Sequence, residues 1–172
     1  MDGELTRLVK ARPLPAEPVV IEADEAERAA LAKRFGLASV ASLRAEIALE
    51  DKAQAVRASG LVTAQLMQTC AVSSEDFPVT ISEPLDLRFV PENPAHYAEG
   101  TEFEIEADDC DEIEYAGDMF NLGEAVAQTL GLAIDPYAEG PNADAARKAA
   151  GIVEEGQQSG PLADALAALK KD

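Results

Sequence analysis

The residues that could do chemistry are two cysteines, one histidine and a dense run of carboxylates. A cysteine acts as a nucleophile only as the thiolate, which a nearby cation or a helix N-terminus must favour. No Lys or Arg stands within twelve residues of Cys70. Cys70 instead shares the alternation of Val62 and Leu66, which reads as a buried structural cysteine. Cys110 lies among Asp108, Asp109 and Asp111, whose negative charge disfavours a thiolate. His96 falls in Asn93-Pro94-Ala95-His96-Tyr97, a proline-flanked stretch that reads as a solvated loop. No Ser or Cys stands in a nucleophile elbow, and no glycine-rich phosphate loop follows a strand. Two cysteines cannot make a four-cysteine zinc site, and a single histidine leaves little for a mixed one. The expected catalytic, cofactor and metal residues are therefore none.

The carboxylates need a separate test. Glu99, Glu102, Glu104, Glu106, Asp108, Asp109, Asp111, Glu112 and Glu114 follow one another with no intervening base. As a calcium loop the run fails. Asp109, Asp111 and Ile113 would fill the first, third and fifth places, but Ile113 offers no oxygen. Glu114 occupies the place where the sharp turn requires Gly. As a two-metal nuclease the run would need its acids fixed on rigid elements, whereas its composition is that of a solvated loop. Its sign points elsewhere. Glu102, Glu104, Glu106, Asp108, Asp109, Asp111 and Glu112 form a candidate surface for a basic partner, which opposite charge would also steer into contact.

That charge is unevenly spread. The chain of 172 residues carries 14 Lys and Arg against 33 Asp and Glu, a net of −19. Residues 1–57 hold nine basic and ten acidic side chains, a net of −1. The remaining 115 hold five and twenty-three, a net of −18. From Phe89 to Ala146 there is no Lys or Arg. A self-sufficient RNA- or DNA-binding module carries the opposite sign, so DNA is not expected as a partner. Charged and polar residues interrupt every window of about 18 residues that a membrane span would need. Residues 1–15 lack the apolar stretch of a secretory leader. A cytoplasmic location is expected.

The elements that must position these residues are legible in outline. Aromatics are 5% of the chain and Trp is absent, so the core must be built from Val, Leu, Ile and Ala. Residues 4–10 and Val19–Ile21 read as short strands. Asp24 and Glu27 have capping-box spacing for a helix over 25–35, and Gly36 is placed to end it. Leu43, Ala45, Ile47 and Leu49 alternate with Arg44, Glu46 and Ala48, the period of a half-buried strand. Glu50-Asp51-Lys52 is expected to turn the chain into a long strand over 55–72, with Gly60 as a bulge or bend. Ser73-Ser74-Glu75-Asp76 is a turn. The strongest strand signal follows, from Phe77 to Phe89, with Pro84 marking an edge position or a break. Thr101–Ala107 alternates again, and Glu112–Ala116 suits a short strand. Asn121 and Glu124 have capping spacing for a helix over 121–134, which ends before Asp135-Pro136. A weak helix is expected over 143–155. The whole predicts an α+β domain over 1–137: an antiparallel sheet of five or six strands covered by two helices, with an acidic loop near 91–118. An Ala/Gly-rich tail over 138–172 would be mobile or loosely docked.

Several of these segments in order resemble a known family. They are Gln68-Thr69-Cys70-Ala71-Val72-Ser73, the acidic stretch leading to Asn121-Leu122-Gly123-Glu124-Ala125-Val126, then Asp135-Pro136-Tyr137, and the tail Gly160-Pro161-Leu162-Ala163-Asp164. The set resembles the YceD-like family, the large ribosomal RNA subunit accumulation proteins, in its alphaproteobacterial form. The resemblance implies a noncatalytic role in accumulation, processing or stability of 23S ribosomal RNA. It implies no catalytic residues, so Thr69, Cys70, Asn121, Leu122, Gly123, Glu124, Asp135 and Pro136 stand as motif positions of unassigned role. Many relatives have Cys-x-x-Cys where this chain has Cys70-Ala71-Val72-Ser73, and a further Cys pair near the C-terminus. Ser73 and the lack of any Cys after Cys110 remove that metal ribbon here.

Two routes reconcile a ribosomal role with the charge. Arg7, Lys10, Arg12, Lys33, Arg34, Arg44 and Arg57 of the near-neutral start could contact 23S rRNA precursor directly. Alternatively, the acidic part could hold a basic ribosomal protein, which is physically cheaper. The competing readings are a metal-dependent RNA-processing enzyme and an acidic nucleic-acid mimic that blocks a basic protein.

Overall fold

Asp24 starts the first helix by local chemistry alone. Its carboxylate accepts the Glu27 N–H at 2.8 Å, and the Glu27 carboxylate returns to the Asp24 N–H at 2.9 Å, a complete capping box. The helix, α1 (Glu25–Phe35), stops where Gly36 takes the left-handed conformation with φ 65°. In chain order the computed structural model contains β1 (Leu8–Lys10), β2 (Val19–Glu22), α1, β3 (Ser39–Lys52), β4 (Ala55–Thr69), β5 (Asp76–Pro91), β6 (Glu112–Tyr115), β7 (Met119–Asn121), α2 (Leu122–Ala133) and α3 (Ala143–Ala149). It describes residues 3–52, 55–92, 112–152, 160–162 and 168. The strand expected over Thr101–Ala107 lies outside the described residues.

The fold is α+β. A five-stranded, mostly antiparallel sheet has the order β2-β3-β4-β5-β6, and β1 and β7 form a separate antiparallel pair. β6 joins the edge of β5 in parallel, with Arg88 opposite Glu112 and Pro91 opposite Tyr115. This departs from the all-antiparallel expectation, because β5 and β6 are linked by a long connection rather than a tight turn.

Several boundaries move. Glu50, Asp51 and Lys52 do not turn the chain; they continue β3, opposite Arg57, Val56 and Ala55. Gly60 is not a bulge but pairs in register with Ile47. A Cβ there would stand 2.1 Å from the Glu46 carbonyl oxygen, so glycine is required by close approach of two backbones. The irregularity lies instead between Val40 and Ser42. It lets Val40 and Leu43, three residues apart, both reach the core. Pro84 does not break β5. Among the described residues β6 pairs with β5 only from Arg88 to Pro91, so the missing N–H of Pro84 interrupts no ladder with it.

The chain divides into two compact units, Met1–Gln68 with Pro78–Asp135, and Thr69–Phe77 with Pro136–Asp172. The first contains the hydrophobic core. The inward residues of β3 and β4 pack with Leu5, Leu31, Phe89, Phe120, Leu122, Val126 and Leu130. Each fully buried large side chain contributes roughly 1.5–3 kcal/mol. The alternation predicted for β4 holds: Val56, Ala58, Val62, Ala64 and Leu66 are buried, while Arg57, Leu61, Thr63 and Gln65 are exposed. In the second unit the turn after β4 closes through the Cys70 N–H to the Glu75 carbonyl at 2.8 Å, with Ser74 at φ 59°. The Ala71 N–H donates to the Ala138 carbonyl, and the Asn142 amide to Glu75. α3 is shorter than the expected 143–155 and ends ahead of Gly151, whose φ is 73°.

Candidate functional site

The motif Asn121-Leu122-Gly123-Glu124 is a clamp on the N-terminal part of the chain. The Asn121 side-chain oxygen caps α2 by accepting the Glu124 N–H at 3.2 Å. The same oxygen accepts the Arg7 N–H at 3.0 Å. The Leu122 N–H donates to the Arg7 carbonyl, and the Leu122 side chain is sealed in the core. Gly123 is bare because residues 5–7 pass against it: a Cβ would lie 2.6 Å from the Leu5 carbonyl oxygen and 2.8 Å from the Arg7 nitrogen. The expected capping box is only half formed. The Glu124 carboxylate turns away from Asn121 and grips both arms of the Arg34 guanidinium, at 2.8 and 3.0 Å. That hydrogen bond holds the Glu124 carboxyl below the usual carboxylate range.

Two other motif segments meet. Gln68, the one buried polar residue among those described, donates its amide to the Asp135 carbonyl. Pro136 follows the end of α2 and is exposed. Thr69 donates its hydroxyl to the Asp76 carboxylate at 2.8 Å across the turn. Cys70 is buried and free. Its sulfur accepts the backbone N–H groups of Gly140, Ser73 and Val72 at 3.2, 3.3 and 3.4 Å. These donors, led by the Ser73 side chain, lower the thiol from its ordinary value to about 7. The sequence reading looked for a cation near Cys70. Backbone amides do the same work and leave no mark in a sequence.

The basic side chains of the start are largely spent inside the molecule. Arg7 pairs with Glu27, Arg12 with Asp51, Arg34 with Glu4 and Glu124, Arg44 with Glu22 and Glu46, and Arg57 with Asp86. Of the seven side chains proposed for direct RNA contact, only Lys10 and Lys33 form no ion pair among the described residues. Of the candidate acidic surface, Glu112 is described and pairs with Arg88 at 2.9 Å. Glu102, Glu104, Glu106, Asp108, Asp109 and Asp111 lie outside the described residues, as do His96 and Cys110. Among the described residues no cluster of three or more His, Cys, Asp or Glu is arranged to hold a metal ion. No described helix is long and apolar enough to cross a membrane.

Two concavities in the first unit have side chains suited to recognition. The larger, about 440 Å³, is an open groove along α1 and the start of β3, with Arg28, Lys33 and Glu25 on its rim. Arg28 donates to the Ala23 carbonyl at 2.8 Å. The smaller, about 220 Å³, is lined by Phe89, Tyr115 and Phe120 together with Glu114, Glu124 and Gln128. Sequence reasoning missed this second pocket, since its walls come from β5, β6 and α2 and no local pattern joins them.

The model of the family described as large ribosomal RNA subunit accumulation protein YceD matches residues 58–171. The chain belongs to the YceD family. Comparisons with curated proteins and with solved structures returned no match. The matched span begins inside β4 and contains β5–β7, α2 and α3, whereas β1–β3 and α1 precede it. The clamp therefore ties the YceD region to the segment before it, through β1 with β7, Arg7 with Asn121, and Arg34 with Glu124. Membership of the YceD family implies a role in accumulation of the large-subunit ribosomal RNA.

Proposed function

We propose that this protein is a noncatalytic, cytoplasmic factor in large-subunit biogenesis that holds a basic ribosomal protein before it meets 23S rRNA. The observation that carries this reading is the internal neutralisation of the arginines at the start of the chain. Arg7, Arg12, Arg34, Arg44 and Arg57 each have a carboxylate partner. An arginine already paired gains little from a phosphate, because the contact must first break or share an existing pair. RNA would then meet a molecule of net charge −19 with few cations to release counterions. A basic protein meets the same charge as attraction. The acidic run 102–112 is the part of this YceD-family chain proposed to face that partner, and Thr69–Cys70, Asn121–Glu124 and Asp135–Pro136 are proposed to support the fold rather than to react.

Affinity purification of the full chain from its native cell, with quantification of bound protein and RNA over a salt series, tests this. Basic ribosomal proteins that copurify and release as salt is raised support the reading. Tight binding of naked 23S fragments at physiological salt, without those proteins, overturns it.

A further inference from the structure

We draw no further inference here: the strongest candidate, the open groove along α1 and the start of β3 lined by Arg28, Lys33, Glu25 and small apolar side chains, carries nothing because its two cations share the lining with a carboxylate and nothing in the structure shows what covers it.

Discussion

At the scale of single residues, Cys70 shows how far a buried thiol can be tuned without any charge. Three backbone N–H groups and the Ser73 side chain converge on its sulfur. All favour the thiolate, because a full negative charge accepts a hydrogen bond more strongly than a neutral thiol does. Burial opposes them and loses, so the thiol titrates near 7 rather than at the ordinary value of roughly 8.5. The sign follows from linkage. The folded thiol is the stronger acid, so its stabilisation is fully present above the unfolded pKa and is lost as pH falls through about 7. In a Cys110→Ser background, the ultraviolet absorbance of the thiolate should therefore titrate with a midpoint near 7, and Ser73→Ala should move that midpoint upward. A midpoint near 8.5 in the parent protein would rule this account out. Ser73 thus has a role in a chain where it stands at the spacing of a Cys-x-x-Cys: it supplies a donor to Cys70 instead of a second thiolate.

At the scale of elements, what could be read in the sequence was whatever its own neighbours determine. α1 has the expected bounds because Asp24, Glu27 and Gly36 act within one turn of each end. β4 was legible because one face is buried along its length, and alternation then becomes compulsory. Features made by distant residues were not legible. Nothing local to Met119–Asn121 marks a strand, yet it pairs with Leu8–Lys10. Glu124 had the spacing of a cap but gives its carboxylate to Arg34, which lies ninety positions earlier. Gly123 is the clearest case. Glycine inside a helix costs about 1 kcal/mol relative to alanine, so Gly123→Ala would stabilise an isolated α2. In the folded protein the new Cβ would meet fixed backbone, the Leu5 carbonyl oxygen at 2.6 Å. At Gly131, in the same helix, a Cβ would meet the edge of the Phe35 ring at 2.7 Å, and a ring can turn aside. Chemical denaturation should show Gly123→Ala destabilised by about 1–3 kcal/mol, with Gly131→Ala clearly milder. Equal stability of the two variants would mean that the 5–7 segment does not press on α2, and the clamp would have no steric basis.

At the scale of the whole molecule, the ion pairs and the net charge do different things. Eight of the basic side chains (Arg7, Arg12, Arg34, Arg44, Lys52, Arg57, Arg88 and Arg147) pair with carboxylates among the described residues. Most of these pairs are at least partly exposed, and an exposed pair adds only about 0–1 kcal/mol to stability. Their larger consequence is electrostatic: each cancels its own local positive field and leaves the surplus of acids unopposed. A partner approaching from solution therefore meets a repulsive surface if it is RNA and an attractive one if it is basic. Such attraction acts over roughly a Debye length, about 10 Å at 0.1 M salt and 3 Å at 1 M. It governs the encounter more than the lifetime of the complex, because short-range contacts in a docked complex are partly shielded from salt. Stopped-flow mixing with a purified basic ribosomal protein should then show an association rate that falls by about tenfold or more between 0.05 and 0.5 M salt, while dissociation changes by less than about threefold. An association rate indifferent to salt would mean that the charge serves solubility alone. A dissociation rate that rose as steeply with salt as the association rate fell would place as much of the attraction in the bound complex as in the approach. The uneven spread of charge makes the first outcome the expected one: residues 1–57, with a net of −1, offset none of the −18 borne by residues 58–172.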